Sequence, residues 1–584
     1  MKRFLITFLA VIAAQVVLTF SVVFIAVMIG TTMMGGAAQK AEVPLHACLV
    51  QEIPLEVLEY APPQPLPFVR QAVTHTMILE NLEKARKDPK IERVVLKLET
   101  PEIGWGKMQE IRARIAQLRE AHKPVYAYTT MLTTRTLYLA GACDSIFVTP
   151  EGMVWLTGLM SERYYLRGML DKIGVSAQVS RIKEYKAAAE MITRADMSPE
   201  ARENADWILR DLYDDLLNTV AQDRHTDRAR VEQWLETSQF TGEEAVTQGI
   251  ADGVLFWEEL RDHLKGQADD LASIDGTEYA KFPRAKFGLH GKRIAVVHGQ
   301  GMITTGKSGW GYPFGVSMGD ETMVEALEDV AADDAISGIL LRLDTPGGLG
   351  LASDRIGRAV ARAAAAKPLV VSSVDVNASG GYMVSYRCST IVAPAGAIVG
   401  SIGSISARPD LSGLFEKLGI TFDRATIGPH ATFWSGVVPL TDEEFRRFEQ
   451  VHWAGYDQWV AGVAEHRHMS VEQVDRLARG RVFTGRQAQA NGLIDAVGGF
   501  DEALALLKRQ ADIPEGDAVT LLHYPIPKSF WEELTSGDWP GATALLTTRL
   551  GLRSEPEARA AATIEFWTRW LQTDEPLLIC PWRF

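Results

Sequence analysis

The sequence predicts an α/β protein made of two tandem copies of one parallel-sheet unit, with an N-terminal transmembrane helix ahead of them. Three observations carry this. Ile339-Leu-Leu-Arg-Leu-Asp-Thr-Pro346 repeats Val94-Val-Leu-Lys-Leu-Glu-Thr-Pro101 at an offset of 245 residues. Short apolar runs alternate with helical patterns in each copy, the grammar of βαβ units. The first 34 residues carry charge only at Lys2 and Arg3.

At the N-terminus, Phe4–Met34 is apolar apart from a few Thr, Ser and Gln, and the next charge is Lys40. A spanning helix needs roughly 20 apolar residues, whereas the apolar region of a cleaved signal is about 7–15. Residues 1–40 therefore read as an uncleaved anchor that contacts membrane lipid, although Ala37-Ala38 would also suit a cleavage site. The two leading positive charges put the N-terminus in the cytoplasm and the bulk of the chain outside it.

The repeat divides the remainder. Lys417-Leu-Gly419 matches Lys172-Ile-Gly174 at 245, and Phe483-Thr-Gly485 matches Phe240-Thr-Gly242 at 243. The copies span residues 45–265 and 293–515, with 266–292 as linker and 516–584 as a C-terminal extension to which the sequence assigns no role. Cys143 and Cys388 fall at equivalent positions and read as core residues. No CxxC and no zinc-ligand spacing joins the four cysteines to histidines, so no metal and no cofactor is expected. A net charge of −14 without a basic stripe excludes nucleic acid as partner.

In the second copy Arg293–Val297, Ile336–Leu343 and Leu369–Val374 read as strands, and Met323–Ala332 and Ser353–Ala365 as helices. Asp344-Thr-Pro-Gly-Gly348 and Asn377-Ala-Ser-Gly-Gly381 then end successive strands, at the carboxyl edge where open α/β sheets carry their sites. Ser379 opens a helix, where free N–H groups and the helix dipole favour an oxyanion. The N–H groups of Gly347 or Gly348 and of Gly380 are candidates to hold it. On its own, each loop is also what a plain turn or helix cap looks like. The first copy discriminates: at the same offset Ser379 becomes Thr134, Gly380 becomes Arg135, and Gly347 and Gly348 become Glu102 and Ile103. The scaffold persists where the glycines do not, so the fold does not demand them.

A serine nucleophile needs a base. No histidine lies in either loop, and His298 and His430 read as structural. A lysine serves if burial disfavours its ammonium form.

Ser379-Gly-Gly-Tyr382, Asp344-Thr-Pro-Gly-Gly348 and Gly400-Ser-Ile-Gly403 resemble the motifs of signal peptide peptidase A, the Ser–Lys proteases of peptidase family S49, and the tandem repeat resembles their long form. The resemblance covers about residues 45–515 and implies a Clp protease/crotonase-like fold. The family's single-domain lysine position corresponds to Ala431, whose first-copy equivalent is Lys186, in Tyr185-Lys186-Ala187; Lys183 is the rival. Each copy thus lacks what the other keeps. Ser401 matches the family serine that orients the lysine. Asp344-Thr345 departs from the usual Asn-Ser. The resemblance further implies a membrane-anchored endopeptidase of the bacterial inner membrane with its catalytic part in the periplasm. Its substrates would be cleaved signal peptides or unfolded apolar segments, and its assembly a homotetramer. The alternatives are a crotonase-like acyl-CoA enzyme and a catalytically inactive scaffold for membrane proteins.

Overall fold

The computed structural model describes residues 42–61, 72–265, 271–311 and 315–526, and the backbone of Leu577–Ile579. The expected anchor over residues 1–40 lies outside them. Among the described residues no helix is long and apolar enough to cross a membrane.

Each copy builds a sheet on the same plan. In the first, Ala47–Ile53, Ile91–Leu98, Val125–Thr133 and Ser145–Trp155 lie side by side and parallel. In the second, Lys292–Gln300, Ile336–Thr345 and Leu369–Ala378 do the same, and Ile391–Ala393 follows. These strands are near-continuous runs of Val, Ile and Leu because both faces of a parallel sheet are covered. Each sheet is completed by a late segment returning to its first strand. Ala272–Asp275, in the stretch expected to link the copies, pairs with Ala47–Ile53. Val519–Tyr524, in the C-terminal extension, pairs with Lys292–Gln300.

The two sheets share one core. Ile294, Val296, Leu340, Val370, Phe500 and Leu507 of the second copy cluster with Leu49, Leu96, Ile111 and Leu118 of the first. Cys143 and Cys388 are buried free thiols, one in this core and one in the core on the far side of the second sheet. One strand residue breaks the apolar run. Arg342 is fully buried and is bound by two first-copy carboxylates, Glu59 at 2.9 Å and Glu110 at 2.7 and 2.9 Å. Burial pushes the Glu59 carboxyl up, but Arg342 outweighs it and holds the group well below the usual carboxylate range. An ion pair so placed ties the copies in one register.

A third sheet belongs to both copies. Its order runs Gly309–Gly311, Gly315–Gly319, Met302–Thr304, Gly347–Leu349, Leu577–Ile579, Ile405–Asp410, Ser176–Arg181. The last pair is antiparallel from Ser176 opposite Asp410 to Arg181 opposite Ile405. The first copy thereby delivers residues 182–186 to the carboxyl edge of the second sheet.

Candidate active site

Ser379 follows strand Leu369–Ala378 and caps helix Gly380–Ser385. Its φ of 57° with ψ of −114° lies outside the regions open to non-glycine residues, a conformation that costs about 1–3 kcal/mol and needs support from its surroundings. The support is visible. The Ser379 N–H donates to Gly400 O at 2.7 Å. The buried Asn377 side chain donates to Ser373 Oγ and Ser385 Oγ, each at 2.9 Å. The turn aims the hydroxyl away from the helix, for Ser379 makes no side-chain capping bond.

The hydroxyl instead meets Lys186, whose Nζ lies 2.6 Å from Ser379 Oγ, 3.0 Å from Ser401 Oγ and 3.1 Å from Ser401 O. Lys186 and Ser379 are fully buried and Ser401 nearly so. Residues 182–186 are held on the second copy by Ile182 N–H to Ser404 O and Tyr185 N–H to Arg479 O, both 3.0 Å. His452 adds a tie, with Nε2 2.7 Å from Ser404 Oγ and Nδ1 2.8 Å from Ser180 Oγ. The rival Lys183 points elsewhere. It pairs with Asp475 and lies over the rings of Trp453 and Tyr456. Ala431 lies in an exposed loop. Of the two histidines weighed as bases, His298 bonds His523 at 2.9 Å and His430 bonds Glu444 at 3.0 Å.

The glycine loops meet at the same point. A Cβ on Gly380 would stand 3.0 Å from Gly348 N and 3.2 Å from Gly347 Cα, and one on Gly348 would fall 2.0 Å from Ile303 O. Only glycine allows this approach. The Gly347 N–H already donates to Thr345 Oγ1 at 3.1 Å.

Two features were not visible in the sequence. Lys107 of the first copy reaches Asp344 and Asp375, one before each glycine loop. The C-terminal extension lays Leu577–Ile579 antiparallel on Gly347–Leu349, with Ile579 opposite Gly347. Among the described residues no group of three or more His, Cys, Asp or Glu could hold a metal ion.

The family model for peptidase family S49 matches residues 117–270 and again 361–514, one match in each copy. The chain belongs to peptidase family S49. It is with that a serine protease. The chloroplastic serine protease SPPA of Arabidopsis thaliana is 31% identical over 82% of this chain and 71% of its own. Protease 4 of Salmonella typhi is 30% identical over 73% of this chain and 70% of its own. Among solved structures, a membrane-bound stomatin-specific protease is 14% identical and covers 40% of this chain and 98% of its own, with a TM-score of 0.26. The S49 family model thus matches both copies of the chain.

Proposed function

We propose that this S49 protein is a membrane-anchored serine endopeptidase working through a Ser379–Lys186 dyad split between its two copies, on the Clp protease/crotonase-like fold. The observation that carries the reading is the 2.6 Å contact between two fully buried groups 193 residues apart, with Ser401 on the same amine. As a neutral amine, the form a low-dielectric site favours, Lys186 accepts the Ser379 proton. The alkoxide attacks the peptide carbonyl carbon, and the N–H groups of Gly348 and Gly380 hold the oxyanion. The C–N bond breaks as the Lys186 ammonium returns its proton to the leaving amine. Water, deprotonated by the same lysine, then hydrolyses the Ser379 ester. Ser401 keeps the amine aimed.

Gly347–Leu349 and Ile405 flank a strand-wide slot, filled here by Leu577–Ile579. A slot of that kind takes an extended peptide by strand addition. Cleaved signal peptides and other unfolded apolar segments are the substrate class, and the catalytic part lies in the periplasm, anchored in the inner membrane by residues 1–40. A homotetramer fits the exposed apolar side chains Met160 and Tyr164 of the first copy and Leu418, Ile427 and Trp434 of the second.

The test is cleavage of casein and of a fluorogenic apolar peptide by wild type and by Ser379→Ala, Lys186→Ala and Lys183→Ala. Activity should vanish in the first two and survive in the third. Full activity in Ser379→Ala would end the peptidase reading, and loss only in Lys183→Ala would reassign the base. Carbonate extraction of membranes and light scattering of the detergent-solubilised chain test anchor and tetramer.

A further inference from the structure

Lys107 stands in the first turn of helix Trp105–Glu120 of the first copy. Its Nζ lies 2.7 Å from Asp344 Oδ2 and 3.2 Å from Asp375 Oδ2. Asp344 is three residues before Gly347, and Asp375 four before Ser379. One ammonium therefore joins the two chain segments that lead to the oxyanion donors and to the nucleophile. The same helix start grips Asp375 through its backbone, with Gly104 N–H at 3.1 Å and Lys107 N–H at 2.9 Å. The second carboxylate oxygen of Asp344 accepts from Val376 N–H at 3.2 Å, which binds one segment directly to the other. The packing leaves no slack, since a Cβ on Gly106 would fall 2.1 Å from Val374 O.

The group is also sealed. The side chains of Lys107, Asp344 and Asp375 are 8%, 16% and 13% exposed. Burial works against the Lys107 ammonium, but the two carboxylates outweigh it and hold its pKa above the ordinary lysine value. Lys107 is a fixed charge and takes no part in proton transfer. Without it, two carboxylates would face each other in a dry site, and the segments carrying them would separate.

We propose that Lys107 is a positioning residue for the peptidase reaction, setting, from the opposite copy, the distance between the Ser379 turn and the loop that carries the Gly348 donor. This rests on the dyad reading above. The first copy would then supply both the base and the clamp that holds nucleophile and oxyanion hole in register. Displacing catalytic groups by about 1 Å costs on the order of 100-fold in rate, so the effect belongs in kcat.

The experiment measures kcat and KM separately on a fluorogenic peptide with the full chain in detergent. Lys107→Met should lower kcat by about 30–100-fold with KM within about twofold. Lys107→Arg, which keeps the charge and two donors, should recover most of kcat. Adding Asp344→Asn to Lys107→Met should recover part, because one unpaired carboxylate is removed. A folded Lys107→Met enzyme with wild-type kcat, or a loss confined to KM, overturns the proposal. If Lys107→Met does not fold, Asp344→Asn alone decides it: a kcat lowered several-fold supports the clamp, and an unchanged kcat overturns it. Ser379→Ala run in parallel separates the two readings. If it is inactive while Lys107→Met is not impaired, only the clamp fails; if it stays active, the dyad itself fails.

Discussion

Thr134 and Ser379 stand at the same place in two copies of one turn. The helices that follow keep register at the 245-residue offset: Gly141 N–H bonds Leu137 O as Tyr386 N–H bonds Tyr382 O, and Cys143 bonds Ala140 as Cys388 bonds Ser385. The hydroxyls have opposite fates. Thr134 Oγ1 donates to Thr157 O at 2.6 Å and accepts from Thr157 N–H at 2.8 Å, so it closes its own loop. Ser379 Oγ is turned out by a strained backbone onto an amine from the other copy. The lysine position shows the reverse, buried at Lys186 and exposed at Ala431. On the proposed dyad, each copy keeps one half of the site and uses the position of the other half as plain scaffold.

The largest expected effects break this division outright. Ser379→Ala and Lys186→Ala should each lower kcat/KM by about 10⁴-fold or more, and the double variant should be little worse than either, since the two act as a unit. Thr134→Ala should leave kcat/KM within about twofold and lower stability by about 1 kcal/mol. Restoring a lysine at Ala431 in the Lys186→Ala background should recover nothing, because that loop is exposed and not at Ser379. Recovery there would mean that the second copy can assemble a site alone.

The next effect concerns the bond between copies. Glu110 and Arg355 are counterparts on equivalent helices, Trp105–Glu120 and Gly350–Ala366. Glu110 is buried and binds Arg342, His75 and the Phe500 N–H. Arg355 is 55% exposed and pairs with Asp320. Glu110→Ala should cost about 3–5 kcal/mol in urea unfolding by leaving a buried arginine half-paired, and Arg355→Ala under about 1 kcal/mol. Equal costs would mean that Arg342 is not what holds the copies together.

A smaller, pH-dependent effect follows from the 25-residue helices Pro199–Asp223 and Asp442–His466. At their 243-residue offset His452 replaces Leu209. Burial lowers the His452 pKa to about 4. The unfolded chain, with a histidine pKa near 6.5, then binds the proton first. Stability contributed by neutral His452 is whole above about pH 6.5 and declines as pH falls toward 4, by roughly 3 kcal/mol over that window. His452→Gln should abolish this part of the slope, read as the difference between variant and wild type in urea melts at pH 7.5, 5.5 and 4. A difference that does not change with pH would show that His452 does not titrate in the window.

What could be read in the sequence was what is encoded locally or twice. The Val/Ile/Leu runs announced strands because parallel sheets bury both faces. The duplicated scaffold singled out Ser379, and only the family resemblance, carried across the repeat, singled out Lys186 as its complement. The turn geometry at Ser379 was not legible, since a serine at φ 57° looks like any other serine in a sequence. Lys107, Arg342 and Glu110 looked like ordinary charges in helix and strand, because Lys107 meets Asp344 across 237 residues and Arg342 meets Glu110 across 232, and no local period reports such contacts. The strand at Leu577–Ile579 was hidden for the same reason: its partner, the short strand Gly347–Leu349, lies about 230 residues away and its glycines carry no strand pattern.

That strand gives the finest comparison between the copies. In the first, the stretch equivalent to Gly347–Leu349 is Glu102–Gly104, and Glu102 N–H bonds Leu55 O at 2.8 Å, the counterpart of the pairing of Gly347–Leu349 with Met302–Thr304. In the second, the other edge of Gly347–Leu349 carries Leu577–Ile579 as well, which also meets Ile405. A peptide adding to Gly347–Leu349 must displace it, and a site open only part of the time binds its ligand more weakly by the open fraction. Leu578→Pro removes a backbone N–H and fixes φ, which should loosen the strand, lower KM by about threefold and leave kcat unchanged. A synthetic peptide of residues 575–581 should then inhibit the variant competitively. A raised KM in Leu578→Pro would mean the opposite: that the strand is a wall of the substrate slot and not an occupant that the substrate displaces.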